Sequence, residues 1–217
     1  MFQYILFDLD GTLTDPKIGI TNSVMYSLEK FGIKVNDRKE LFCFIGPPLI
    51  DSFMDFYGFS KEDALQAIVY YREFFGVTGI YQNDVYDGIE NVLATLKNQG
   101  KKLILATSKP EKYANIILEH FGLAKYFDCV VGATFDGSLN YKSDIVAVAL
   151  KRGGVDDISK AVMIGDRHHD VDGGKANSLA TIGVLYGYGS LEEFNECGAD
   201  FVAETPADIL RIINTQE

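Results

Sequence analysis

Short apolar runs of strand length recur along this 217-residue chain and alternate with stretches of helical periodicity. The strand candidates are Tyr4–Leu9, Lys102–Ala106, Cys129–Gly132, Ala161–Ile164 and Thr181–Val184, with Phe201–Val202 as a short edge strand. Helical patterns cover Gly88–Asn98, Glu111–Phe121, Ser143–Arg152, Val171–Asn177, Leu191–Cys197 and Ala207–Ile213. This alternation predicts βαβ units: an α/β, Rossmann-like parallel sheet with helices on both faces. Ligands of such sheets bind beyond the carboxyl ends of the strands. The polar residues just past each apolar run are therefore the ones that matter.

One region breaks the alternation. Ile18–Phe31, Arg38–Phe44, Leu49–Tyr57 and Lys61–Phe75 all read as helices, with no convincing strand among them. The segment is entered through Thr14-Asp15-Pro16 and left through Gln82-Asn83-Asp84, residues suited to linker turns. The expected organisation is an α/β core from residues 1–15 and 84–217 with an inserted helical cap at 16–83. Directly following the first acidic cluster, the insert is placed to cover it. Gly46-Pro47-Pro48 would form a stiff loop there, and Arg38 or Arg72 would meet a second anionic group. For Arg72 a snorkelling surface arginine is the simpler reading. The aromatic residues of the insert read as its core, or else as a dimer face.

Net charge is −11 and the pI is near 4.7, which argues against nucleic-acid polymers and anionic membranes as partners. No apolar run is long enough to span a bilayer, and Met1-Phe2-Gln3-Tyr4 has no basic leader character. Cys43, Cys129 and Cys197 lack metal or disulfide spacing and read as free thiols of a cytoplasmic protein. The pattern leaves monomer and homodimer open. An anionic substrate would require this acidic chain to supply positive potential locally.

The first apolar run ends in Asp8-Leu9-Asp10-Gly11-Thr12. Side chains at i and i+2 of an extended segment share a face, so Asp8 and Asp10 point toward one spot. Two carboxylates held together call for a cation, and a hard oxygen-seeking ion such as Mg2+ suits them. Leu103–Ala106 runs into Thr107-Ser108-Lys109-Pro110 before a helix. This is either an anion cradle or an ordinary helix N-cap. Lys142 precedes an apolar helix and by itself reads as a surface lysine. Val162-Met163-Ile164-Gly165 ends in Asp166, with Asp170 four residues on. Between them His168-His169 suggests a metal site, but adjacent side chains diverge and no further Cys or His accompanies them. An oxygen-ligand site on Asp166, supported by Asp170, fits better.

Taken in order, Asp8-Leu9-Asp10-Gly11-Thr12, Thr107, Lys142 and Gly165-Asp166 with Asp170 resemble the four motifs of the haloacid dehalogenase-like hydrolase superfamily. The resemblance spans essentially the whole chain. A helical insert after the first motif, Phe44–Leu49 and Gly183–Gly189 resemble its phosphoglycolate phosphatase-like branch. Ser108 stands where that branch commonly has Asn.

The resemblance implies a Mg2+-dependent phosphomonoesterase acting on a small phosphorylated metabolite. Asp8 would be the nucleophile and Asp10 the acid and base. Asp8, Asp166 and the backbone carbonyl of Asp10 would hold Mg2+. Thr107, Lys142 and backbone N–H groups at Gly11 and Ser108 would hold the phosphate, and Asp170 would orient Lys142 or a water on the metal. Phosphoglycolate ranks first as substrate, followed by nucleoside monophosphates in a 5'-nucleotidase reading. A β-phosphoglucomutase-like phosphotransferase would share the motifs. A haloacid dehalogenase proper would need neither Asp10 nor a metal. A receiver-like phosphoacceptor would need neither the insert nor Asp10, and a silent binding protein would need none of the set.

Overall fold

The computed structural model describes residues 1–215. One compact unit comprises Met1–Asp15 together with the chain from Val85 onward, and a second comprises Pro16–Asp84.

The first unit is built on a six-stranded sheet. Its strands are β1 (Tyr4–Phe7), β4 (Lys102–Pro110), β5 (Cys129–Ala133), β6 (Ala161–Gly165), β7 (Ala180–Val184) and β8 (Phe201–Ala203). Their spatial order is β5-β4-β1-β6-β7-β8, and every neighbouring pair is parallel. The chain winds outward from β1 in one direction and then in the other, so β1 marks the point where the winding reverses. Doubly wound sheets bind ligands at that point. The expected α/β class is the observed one.

The two strands at the middle of the sheet, β1 and β6, are apolar along their length because both faces of a parallel sheet are covered. Leu6 of β1 lies level with Ile104 of β4 and Met163 of β6. All three pack with Ile145, Val146 and Ala149 of the helix α6 (Lys142–Arg152) in one buried cluster. Ile5 and Phe7 alternate to the opposite face, where Phe7 meets Phe127 edge-on with ring centroids 6.3 Å apart. Helices α4 (Ile89–Asn98), α5 (Glu111–His120), α7 (His168–Ala176), α8 (Leu191–Cys197) and α9 (Pro206–Asn214) complete the unit.

The second unit holds α1 (Lys17–Lys30), α2 (Leu49–Tyr57) and α3 (Lys61–Phe75). Arg38–Phe44, expected as helix, is a 3-10 helix, started by the Asp37 carboxylate accepting from the Lys39 N–H. Of its aromatic residues Phe44, Phe53, Tyr71 and Phe75 are buried, whereas Phe56 is exposed. Phe53 is wholly buried and lies 5.0 Å from Phe44 and 5.8 Å from Phe59, centroid to centroid. Arg38 donates to the Thr21 hydroxyl at 2.8 Å, within the same unit. The crossings carry a short ribbon of β2 (Thr14–Asp15) and β3 (Asp84–Val85). Two-residue strands are too short to leave a periodic signal. Among the described residues no helix is long and apolar enough to cross a membrane.

Candidate active site

Asp8 directly follows β1, and its N–H continues the pairing by donating to the Ile164 carbonyl at 2.9 Å. The strand register thus aims its carboxylate from the centre of the sheet. Gly11 adopts φ +80, which favours glycine, and a Cβ there would lie 2.1 Å from Asp166 Oδ2. The turn at Gly11 therefore lets the first motif close against β6.

Asp166 follows β6 and is 1% exposed. Its Oδ2 accepts the Tyr188 N–H at 2.8 Å, while its buried Oδ1 takes no hydrogen bond from any described residue. Asp170 lies in the first turn of α7, which begins at His168, earlier than the expected Val171. Its Oδ2 accepts the Arg167 N–H at 3.1 Å, a capping arrangement that leaves Oδ1 for Lys142 at 2.7 Å.

Lys142 opens α6 and is 7% exposed, so it is not the surface lysine its isolated sequence context suggested. Its ammonium lies 2.7 Å from Asp8 Oδ1 and 3.2 Å from the Ala106 carbonyl, besides Asp170. The ammonium thus hydrogen-bonds to Asp8 and the Ala106 carbonyl and forms a close ion pair with Asp170. Burial alone would depress this lysine; Asp170 and Asp8 more than offset that and hold it above the ordinary lysine range.

Carboxylate oxygens of Asp8, Asp166 and Asp170 lie within 4.8 Å of one another. Burial, and then the charges of Asp170 and Asp8, push Asp166 well above the usual carboxylate range. Burial and Asp8 likewise raise Asp170, against the pull of Lys142. Three buried carboxylates with one ammonium carry uncompensated negative charge. The all-oxygen donor set and the unpartnered Asp166 Oδ1 fit a hard divalent cation. The Asp10 carboxylate lies outside this group. It pairs instead with Lys109, Oδ2 to Nζ at 2.7 Å. Burial raises Asp10 above its ordinary range, with Lys109 acting the other way.

Thr107 is 1% exposed, and its hydroxyl accepts the Lys109 N–H at 3.2 Å. Ser108 beside it is half-buried. Neither residue begins a helix. β4 stays extended to Pro110, which pairs with Ala133 of β5, and Pro110 itself occupies the N-cap of α5. The N-cap reading of Ser108 is thereby corrected: strand pairing holds this segment. The His168 and His169 rings lie tilted at 43° with centroids 3.8 Å apart, and the Glu193 carboxylate engages the His168 N–H and Nδ1. Neither histidine belongs to a metal-ligand group among the described residues.

Two features escaped the sequence reading. Lys109 is one, its only signal being a lysine two residues past Thr107. The other is a tyrosine layer behind the acids. The Tyr186 hydroxyl donates to the Thr12 carbonyl at 3.0 Å, the Tyr188 hydroxyl donates to Asp15, and Tyr86 lies edge-on to Tyr186 at 5.0 Å.

A family model described as haloacid dehalogenase-like hydrolase matches residues 5–184. A 5'-nucleotidase of Pseudomonas aeruginosa is 46% identical over 192 residues, covering 88% of this chain and 86% of that protein. Tyrosine-protein kinase PtkA of Mycobacterium tuberculosis is 38% identical over 209 residues, covering 96% of this chain and 68% of that protein. The crystal structure of a predicted phosphatase from Clostridium acetobutylicum superposes with a TM-score of 0.96 at 47% identity, covering 99% of each chain.

Proposed function

The chain belongs to the haloacid dehalogenase-like hydrolase family and is a phosphoric monoester hydrolase, and from that premise we propose that it works by phosphoryl transfer to Asp8, dependent on Mg2+. The observation that carries this reading is the buried group of Asp8, Asp166 and Asp170 around Lys142 at the carboxyl ends of β1 and β6.

In the first step a carboxylate oxygen of Asp8 bonds to phosphorus while the ester P–O bond breaks. Asp10 gives its proton to the departing oxygen. In the second step Asp10 takes a proton from water, the water oxygen bonds to phosphorus, and the bond to Asp8 breaks. Thr107, Lys142, and backbone N–H groups at Gly11 and Ser108 hold the phosphoryl oxygens as charge redistributes. Lys142 must exchange at least one of its present acceptors to do so. Asp8, Asp166 and the Asp10 carbonyl are the proposed Mg2+ ligands, with Asp170 holding Lys142 in place. When bound, the cation offsets the repulsion between carboxylate and phosphate and polarises the phosphoryl group.

Among substrates, a nucleoside monophosphate is placed ahead of phosphoglycolate, the branch-based first expectation. The support is the 46% identity to a 5'-nucleotidase over most of both chains. Residues 16–83 are proposed as the cap that selects the leaving group, on the strength of their position in the chain directly after the first motif. The 38% identity to PtkA favours one second reading, transfer of the phosphoryl group to a protein hydroxyl instead of water.

The test is phosphate release from nucleoside monophosphates, phosphoglycolate and sugar phosphates, with Mg2+ and with EDTA, for wild type and Asp8→Asn. Release that needs Mg2+ and vanishes in Asp8→Asn supports the proposal. Phosphate appearing on an added protein but never free in solution would favour the second reading.

A further inference from the structure

Lys109 has no part in the mechanism above, yet it is a buried ammonium at the centre of the site. Its side chain is 4% exposed, and that of its partner Asp10 is 11% exposed. A buried ion pair of this kind adds little net stability, because desolvating both charges offsets their attraction. Its value lies in fixing geometry.

The geometry here is specific. Lys109 holds one oxygen of Asp10, Oδ2, at 2.7 Å. The other oxygen, Oδ1, is buried and has no hydrogen-bond partner among the described residues. Lys109 is itself braced: its N–H donates to the Thr107 hydroxyl, and the next residue, Pro110, is pinned to β5. The segment that presents Thr107 therefore also aims the ammonium at Asp10.

We infer that Lys109 is a positioning residue that anchors Asp10 through Oδ2 and so presents Oδ1 for proton exchange with the leaving oxygen and then with water. This rests on the reading of Asp10 as acid and base. Lys109 needs no contact with the substrate, and its fixed charge and reach are what matter.

The test compares two esters in single-turnover experiments on the full chain. One is a nucleoside monophosphate, whose alkoxide must be protonated to leave. The other is p-nitrophenyl phosphate, whose phenolate leaves without a proton. Lys109→Met is expected to slow release of the nucleoside by about 10- to 100-fold, part of the range ascribed to a positioned general acid. Release of nitrophenolate should stay within a few-fold of wild type, and KM should hardly move for either ester. Lys109→Arg should restore most of the loss. In an Asp10→Asn background Lys109→Met should cost nothing further, a comparison that also holds if the single variant is less stable.

Equal loss with both esters would overturn the inference, and so would a rise in KM with kcat unchanged, which would make Lys109 a substrate ligand. Additive losses in the double variant would overturn it too. A wild-type chain that hydrolyses neither ester would instead overturn the hydrolytic reading and this inference with it.

Discussion

Replacing Asp166 with Asn should uncouple the protein from Mg2+ while leaving the metal-free fold intact or firmer. Carboxylate oxygens of Asp8, Asp166 and Asp170 lie within 4.8 Å of one another, and Lys142 neutralises only one of them. At that separation, two unit charges in a medium of effective dielectric near 20 repel by roughly 3–4 kcal/mol. Partial protonation relieves some of this, since burial and the two neighbours already raise Asp166. Asn keeps an oxygen for the Tyr188 N–H, so the swap removes repulsion without orphaning that donor. Asp166→Asn without metal should therefore be more stable by about 1–3 kcal/mol at neutral pH. Wild type should gain about 2.7 kcal/mol at a Mg2+ concentration 100 times its Kd. For a chain of this length that corresponds to a rise of about 5–10 °C in Tm. The assay is thermal unfolding against Mg2+ for both proteins, with EDTA as the zero point. The reasoning fails if Asp166→Asn keeps the full Mg2+ response, or if its metal-free Tm falls by several degrees.

Lys142→Met leaves Asp8 and Asp170 facing each other uncompensated, and should cost about 3–5 kcal/mol in urea unfolding together with nearly all phosphate release. Gly173→Ala is a subtler probe of the same lysine, because a Cβ there would stand 2.5 Å from Lys142 Cγ. It should destabilise by about 1–3 kcal/mol and lower kcat by more than it changes KM, in steady-state kinetics. Away from the site, burial acts to raise Asp128, but Lys97 at 2.8 Å and the Leu103 N–H at 2.8 Å hold it below the usual carboxylate range. The sign follows from linkage. The folded chain binds this proton less readily than the unfolded one, so the stabilisation is present above the unfolded pKa and fades as pH falls through the folded value. Asp128→Asn should flatten the acid limb of a stability–pH curve below about pH 4 and lower the plateau above it.

Asp8, Asp10 and Asp166 were legible in the sequence because each ends an apolar run, and the ends of parallel strands share one edge of the sheet. Lys142 was legible only through its order after Thr107. Nothing local to Asn140-Tyr141-Lys142 states that the ammonium turns inward to Asp8, 134 residues earlier in the chain. Lys109 went unread for a related reason. Thr107-Ser108-Lys109-Pro110 has the composition of a turn and cap, and pairing of Thr107 with Gly132 and of Pro110 with Ala133, across a shift in register, keeps it extended. Burial of a charge is decided by its tertiary partner, and hydrophobic periodicity carries no record of that. The tyrosine layer was hidden in the same way, since Tyr86 and Tyr186 meet across 100 residues. In the second unit the aromatic spacing marked Phe53, Tyr71 and Phe75, which are buried, together with Phe56, which is exposed. The Arg38–Phe44 turn shows the usual limit of pattern reading, because one apolar pair at i and i+3, here Leu41 and Phe44, suits an α-helix and a 3-10 helix alike.

The most direct test of the central claim is to quench the enzyme in acid during turnover of a nucleoside monophosphate radiolabelled in its phosphate, and to map the label by peptide. Label on the peptide carrying Asp8, absent from Asp8→Asn together with phosphate release, is the predicted result. Release at the wild-type rate by Asp8→Asn, or label on another residue, would contradict the account.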